Sequence, residues 1–179
     1  MGGESILERT ALWVKMNPVP KTRKGVGKAP PSAAPKSATR YVFSSTKTIR
    51  YRFPTHTNDL IMDRAQAAAT EAFLVVLAPG EAPPLHVHDD TEQIFYVLRG
   101  TGTLHIGAAP GRRFRVKAGE LVRIPPRTLH RIRANGARPL VYLCVDCFPG
   151  GRPTDEPTWE SHVRAMCANN GWDFAQIRK

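Results

Sequence analysis

The sequence contains few cysteines and no long apolar run. Three cysteines among 179 residues are too few for a disulfide framework, which favours a reducing compartment. No stretch approaches the roughly 20 apolar residues of a membrane-spanning helix, and residues 1–16 lack the apolar core of a secretory signal. We therefore expect a cytoplasmic protein without a membrane segment.

Acidic residues are scarce in the first part of the chain, and the charge is therefore uneven. The formal net charge is +11. Residues 1–52 carry eleven Lys/Arg and two acids, whereas residues 53–179 carry fifteen basic and thirteen acidic side chains. Because the second region is close to neutral, we do not expect nucleic acid to be its partner. A basic arm for RNA, DNA or an anionic surface is the alternative for the first region, against the interpretation as an inert extension.

Composition divides the chain into three regions. Within residues 1–40, residues 17–40 hold five prolines, six Lys/Arg and no acid, which predicts a disordered extension; residues 5–15 carry a helical pattern with a capping box. Residues 41–150 are predicted to form a β-domain. Residues 151–179 form a C-terminal extension with one predicted helix over residues 158–168.

Many short apolar segments separated by turn residues indicate an all-β sandwich or barrel. No long internal helix interrupts them. The predicted strands cover residues 41–43, 49–53, 60–62, 72–77, 85–88, 93–98, 102–106, 113–117, 121–124, 130–133 and 140–147.

Histidines at two places suggest a metal site. His86 and His88 are two residues apart in a predicted strand, so their side chains share a face. Both imidazoles can then reach one ion at roughly 2.0–2.2 Å. A third histidine, His130, follows a turn that begins at Gly119. Together these residues predict a metal site inside a small β-barrel.

The two segments resemble the sequence motifs of the cupin superfamily. The positions that match the first motif are Gly80, His86, His88 and Gly100, and those that match the second are Gly119, Pro125 and His130. The carboxylate position of the first motif falls on Glu92 or Gln93, and counting back from Gly100 selects Gln93. Arg127 stands where the family has glycine, and Ala134 where it has asparagine.

The resemblance implies a double-stranded β-helix, or jelly-roll, barrel that acts on a small-molecule substrate and often forms a homodimer. It also implies a divalent metal, either Zn, Fe, Ni or Mn, with His86, His88, Gln93 and His130 as ligands. A glutamine leaves the ion's charge uncompensated, which favours Lewis-acid catalysis of the isomerase, lyase or cyclase type on a carbonyl- or hydroxyl-rich metabolite. An iron-dependent dioxygenase and a non-catalytic ligand-binding module are the alternatives, since the family does not select a reaction. No catalytic residue is assigned.

Several other polar residues are interpreted without a chemical role. We expect His56, in a predicted loop, and His162, on the terminal helix, to be solvated, and His105 to face away from the core. Cys144 and Cys147 lie on opposite faces of a strand, so we expect ordinary core cysteines. The basic hairpin is expected to be solvated; it contains Arg112, Arg113 and Arg115.

Overall fold

The computed structural model of the chain describes residues 39–179. Residues 40–179 form one compact unit. The helix expected over residues 5–15 and the disorder expected before residue 39 lie outside the described residues. Within them, none of the helices combines the length and the apolar character that crossing a membrane requires.

Within residues 39–179, nine antiparallel strands form two sheets, and the jelly roll predicted from the sequence is confirmed. The strands are β1 (Ile49–Phe53), β2 (His56–Met62), β3 (Thr70–Leu77), β4 (Glu92–Arg99), β5 (Thr101–Ile106), β6 (Arg112–Lys117), β7 (Leu121–Ile124), β8 (His130–Ala134) and β9 (Leu140–Cys147). The large sheet has the order β1-β2-β3-β9-β4-β7, and the small sheet has the order β6-β5-β8.

The core lies between the two sheets. Along β3, Phe73, Val75 and Leu77 are buried while their neighbours are partly exposed, because successive side chains of a strand point to opposite faces. Across the core, Leu104 and Ile132 of the small sheet are buried in the same apolar cluster. Burying each such side chain stabilises the fold by about 1.5–3 kcal/mol.

A C-terminal helix, α1 (Trp159–Asn170), packs on the large sheet and is followed by the single turn α2 (Phe174–Ile177). Thr158 and Ser161 cap its beginning, and Gly171 ends it in the left-handed conformation at φ 68°, which glycine adopts without steric cost. Trp159 is fully buried, and its ring lies 4.4 Å from that of Phe73. The helix predicted from the sequence is therefore present, two residues longer at its end.

Three local predictions are wrong. Residues 41–43 form no strand, and Tyr41 and Val42 are more than four-fifths exposed. Residues 85–88 form a single bridge at His86, because Pro83 and Pro84 have no N–H groups with which to extend a ladder. The segment at His56 is part of β2 and not a loop.

Candidate metal centre

Backbone hydrogen bonds hold the two histidine segments together. His86 and His130 exchange both of their backbone hydrogen bonds, with N–O distances of 3.1 and 2.9 Å. The N–H group of Arg127 donates to the carbonyl of His88 at 2.7 Å. Arg127 adopts the left-handed conformation, with φ 59°. A side chain is strained in this conformation, which explains why the second cupin motif has glycine at this position. The turn before β8 thus fixes the first two histidines relative to the third.

The three imidazoles converge on one point. One ring nitrogen of each of His86, His88 and His130 lies within 4.8 Å of the others. The Nδ1 atom of His86 lies 2.8 Å from the Pro84 carbonyl oxygen, and that of His130 lies 2.7 Å from the Thr128 carbonyl oxygen. Because a carbonyl only accepts, both Nδ1 atoms carry the proton and both Nε2 atoms present a lone pair.

Burial keeps these histidines neutral. Desolvation, followed by the neighbouring imidazoles, lowers the pKa of His88 to about 3. Desolvation and the charge of His86 lower the pKa of His130 to about 4, and burial also lowers the pKa of His86. Neutral imidazole is the form that binds a metal ion.

Gln93 completes the cluster on its inner side. Its Nε2 group donates to Asp146 Oδ1 at 2.9 Å, which turns Oε1 toward His130, where it lies 2.8 Å from Nε2. Both of these facing atoms are acceptors, and neither can satisfy the other. A cation between them would satisfy both, so the donor set fits a divalent metal. Ligation by the three histidines and Gln93 stays a prediction.

Glu92, the alternative to Gln93, lies on the other face of β4. Gln93 is buried and Glu92 is half-buried, as the alternation along a strand requires. The Glu92 carboxylate accepts a hydrogen bond from Arg123 at 2.6 Å. The register therefore directs Gln93, and not Glu92, toward the histidines.

A row of buried polar side chains continues behind Gln93. Asp146 is the cross-strand partner of both Gln93 and Glu71, so all three project from the same face of the large sheet. Arg64 donates two hydrogen bonds to Glu71, at 2.6 and 2.7 Å. Desolvation, together with the negative charge of Asp146, raises the pKa of Glu71 to about 7. Burial likewise raises the pKa of Asp146.

A cavity of about 340 Å³ lies between the three histidines and α1. His56 and His162 both line it, so the expectation that they are solvated is wrong. His56 is buried because β2 lies inside the barrel wall, and desolvation lowers its pKa to about 3. His162 is half-buried, and its Nδ1 atom lies 2.6 Å from Glu156 Oε2.

Sequence reasoning missed the polar row and the cavity. The inward residues Tyr142, Cys144 and Asp146 alternate along β9, and this period of two could have placed Asp146 inside the barrel. Nothing in the sequence pairs Arg64 with Glu71. Cys144 and Cys147 do face opposite sides of β9, and both are free thiols.

A jelly-roll barrel with three inward histidines defines a class of protein suited to binding a divalent metal. Residues 73–146 match the cupin domain family model, and this part of the chain is a cupin domain. It is 36% identical over 74 residues to an uncharacterized protein of Methanocaldococcus jannaschii, a match that covers 41% of this chain and 57% of that protein. It is 33% identical over 85 residues to auxin-binding protein 1 of Arabidopsis thaliana, covering 44% and 42%. The chain spans about half the length of these curated relatives.

Solved structures show the same fold. A predicted oxalate decarboxylase from Thermotoga maritima has a TM-score of 0.53 at 22% identity, covering 60% of this chain and 99% of that one. The polyketide cyclase RemF from Streptomyces resistomycificus also has a TM-score of 0.53, at 23% identity, covering 64% and 85%. A double-stranded β-helix protein from Klebsiella pneumoniae has a TM-score of 0.52 at 18% identity, covering 60% and 90%.

Proposed function

We propose that the protein is a metal-dependent enzyme that moves a proton of a small carbonyl- or hydroxyl-rich metabolite. The observation that carries the proposal is the facing pair of acceptors, His130 Nε2 and Gln93 Oε1, 2.8 Å apart beside a cavity of about 340 Å³. Zn, Fe, Ni or Mn held by these atoms, His86 and His88 would supply Lewis acidity to a substrate oxygen.

The cavity suits a small substrate whose oxygen end meets the histidine cluster. Its volume lies at the lower end of ligand sites, which span about 300–1,000 Å³. No Lys or Arg of residues 39–179 lines the cavity. An anionic or electron-rich oxygen therefore has no cationic side chain to bind there, which directs it to the metal position. Phe73, Phe95 and Trp172 offer an apolar wall for the rest of the molecule.

His162 is the best candidate for the general base. Its Nδ1 group donates to Glu156 at 2.6 Å, so the Nε2 lone pair stays available to accept a proton. This hydrogen bond is the main cause that lowers the pKa of Glu156, which keeps the carboxylate ionised. Arg64 in turn lies 3.6 Å from Glu156 Oε2. A base oriented by an ionised partner is the arrangement that proton abstraction requires.

The test is deuterium exchange into a panel of hydroxyketones and keto acids in D₂O, followed by proton NMR together with metal analysis. We expect wild-type protein to bind one metal per chain and to exchange a proton beside a carbonyl. His162→Gln should keep the metal and lose exchange by about 100-fold or more, whereas a His86→Ala/His130→Ala variant should lose the metal. His105→Gln is the matched control. Exchange at the wild-type rate in His162→Gln would contradict the role of this base.

A non-catalytic binding module is the second candidate, and the similarity to auxin-binding protein 1 favours it. Such a module would load metal and bind small aromatic carboxylates in calorimetry while the compounds remain unchanged. Oxygen uptake by the iron-loaded protein would instead indicate the dioxygenase alternative. If the protein takes up no metal, both the proposed proton-transfer enzyme and the dioxygenase alternative are ruled out.

We also propose that two copies form a homodimer through the outer face of the large sheet. Leu74 and Tyr96 are both cross-strand partners of Leu143, and Tyr96 also pairs with Leu121. Tyr96 and Leu121 are 44% and 63% exposed. Single exposed apolar residues are common, but adjacent ones that form a row indicate an interaction surface. The outer face of the small sheet carries arginines, among them Arg115 and Arg133 on either side of Thr103, and would repel a second copy. The apolar face of the large sheet is therefore the better dimer surface. Leu121→Lys should shift the mass measured by light scattering from dimer to monomer.

A further inference from the structure

The outer face of the small sheet carries a group of positively charged side chains, which we call the basic face. Alternation along β6 and β8 places five cations there; they are Arg113, Arg115, Lys117, Arg131 and Arg133. β5 runs between these two strands. No acidic residue occurs in β5, β6 or β8.

The register arranges these cations in rows. Arg113 and Arg131 are both partners of His105, and Arg115 and Arg133 are both partners of Thr103. Two arginines of one row are separated by two interstrand spacings, about 9.6 Å, and neighbours along β6 by about 6.8 Å. The face therefore presents cations over roughly 10 Å by 14 Å.

These cations have no partners inside the described chain. None of the ion pairs formed by residues 39–179 includes a member of the basic face. The Nε group of Arg131 is buried without a hydrogen-bond acceptor. Glu120, the nearest acid in sequence, binds the backbone N–H of Lys117 at 2.9 Å. Partial burial is the main cause that lowers the pKa of His105, and the charges of Arg131 and Arg113 lower it further.

We propose that the basic face binds the phosphate backbone of a nucleic acid without reading its bases. Over about 14 Å a duplex presents about eight phosphate charges, one per 1.7 Å, which matches an extended group of separated cations. A single small phosphate fits less well, because the arginines are spread over an outward sheet surface and not gathered in a concave site.

The composition of the face argues against a membrane as the partner. Surfaces that insert into a membrane interface combine basic residues with apolar side chains that enter the headgroup region. The residues between the cations are Thr101, Thr103 and His105, and all three are polar. Phe114 points to the opposite face of β6, as its pairing with the core residue Leu104 shows. The partner that fits is therefore a hydrated polyanion.

This inference departs from the expectation that the region after residue 52 does not bind nucleic acid. That expectation rested on the net charge of residues 53–179. A net charge does not show that many of the cations lie together on the basic face. The inference does not depend on the proposed chemistry, since the basic face lies on the opposite side of the small sheet from the histidines.

The experiment measures the binding of full-length protein to fluorescent double-stranded DNA and to single-stranded RNA by polarisation, as a function of salt. Two variants remove two charges each from the basic face: Arg113→Gln/Arg115→Gln and Arg131→Gln/Arg133→Gln. Arg164→Gln/Arg178→Gln removes the same charge from the region of α1, where both arginines pair with Glu160. A fourth variant, Lys21→Gln/Lys24→Gln, removes two charges from the first forty residues.

We expect each basic-face variant to weaken DNA binding by about 60-fold near 0.1 M salt and to reduce the slope of log K against log salt by about 1.8. The control at Arg164 and Arg178 should retain wild-type affinity and slope. Unchanged melting temperature and metal content would show that the variants are folded. The proposal is overturned if wild-type protein does not bind, if only the Lys21/Lys24 variant loses affinity, or if phosphatidylserine vesicles bind while both nucleic acids do not.

Discussion

Charged side chains at the inner face of the large sheet are paired, whereas those on the outer face of the small sheet have no partner among residues 39–179. Inside, Arg64, Glu71 and Asp146 are almost fully buried, and each has a hydrogen-bonded partner. Outside, the five cations of the basic face have none among residues 39–179. Without water an unpaired charge is too costly to keep, whereas in water it costs little. Internal charges therefore fix the geometry of the candidate site, and external ones stay available to another molecule.

The largest expected effect comes from removing the main partner of a buried charge. Glu71→Ala would remove both hydrogen bonds that Arg64, only 3% exposed, donates to a carboxylate, and would leave it only Glu156 at 3.6 Å. The free energy of unfolding should fall by about 3 kcal/mol. Replacing both residues, Arg64→Met/Glu71→Leu, should recover most of the loss because neither member of the buried ion pair is then left without the other. Urea unfolding measures both.

The matched control for this prediction is Glu160→Ala, which breaks the exposed pairs with Arg164 and Arg178. Its expected cost is below about 1 kcal/mol. Equal costs at Glu71 and Glu160 would remove the distinction between the two environments.

The next effect is a loss of stability in acid that depends on His56. Its pKa in the folded protein is about 3, against about 6.5 in an unfolded chain. A depressed basic pKa stabilises the fold above pH 6.5, and the contribution is lost as the pH falls toward 3. At pH 4.5 the loss is about 3 kcal/mol. Between pH 4.5 and 7 Glu71 acts in the opposite sense, because its raised pKa favours the fold at the lower pH.

Urea unfolding of metal-free protein at pH 7 and pH 4.5 isolates this effect. Wild-type protein should lose more stability on acidification than His56→Gln does. His105→Gln, at a half-buried position on the outer side of the small sheet, should change the pH dependence much less than His56→Gln does. Identical pH dependence in all three proteins would refute the link to His56.

A smaller effect is expected on metal affinity. Asp146→Ala removes the acceptor that holds the Gln93 amide, so Oε1 is no longer directed at His130. Residues that orient a metal ligand in this way contribute about 10–100-fold to affinity. Competition with a chromogenic chelator measures the change. Cys144→Ala is the control, because its thiol contacts the same carboxylate at 3.1 Å and lies 4.0 Å from the Gln93 amide nitrogen, so its removal leaves the hydrogen bond from Gln93 to Asp146 in place.

Sequence patterns predicted the fold and the three histidines because both depend on local periodicity. Alternation and turn residues located eight of the nine strands of residues 39–179 to within two residues, and part of β2. The two-residue spacing of His86 and His88 predicted that their side chains point in the same direction. The polar row could not be predicted, since Glu71, Gln93 and Asp146 meet only through strand pairing. The basic face escaped for the same reason. Arg113 and Arg131 are distant in sequence and become neighbours only when β5 pairs with both β6 and β8.

The smallest expected effect concerns the exposed cations of the basic face. Arg115→Thr and Arg133→Thr remove exposed charges that flank Thr103. At about 9.6 Å, two unit charges repel by about 0.4 kcal/mol in water, and salt at 0.1 M screens much of this over a Debye length of about 10 Å. Each variant should therefore raise the free energy of unfolding by a few tenths of a kcal/mol at low salt and by nothing measurable in 1 M salt. A loss of stability at low salt would mean that these arginines already have partners, and the contrast with the buried charges would fail.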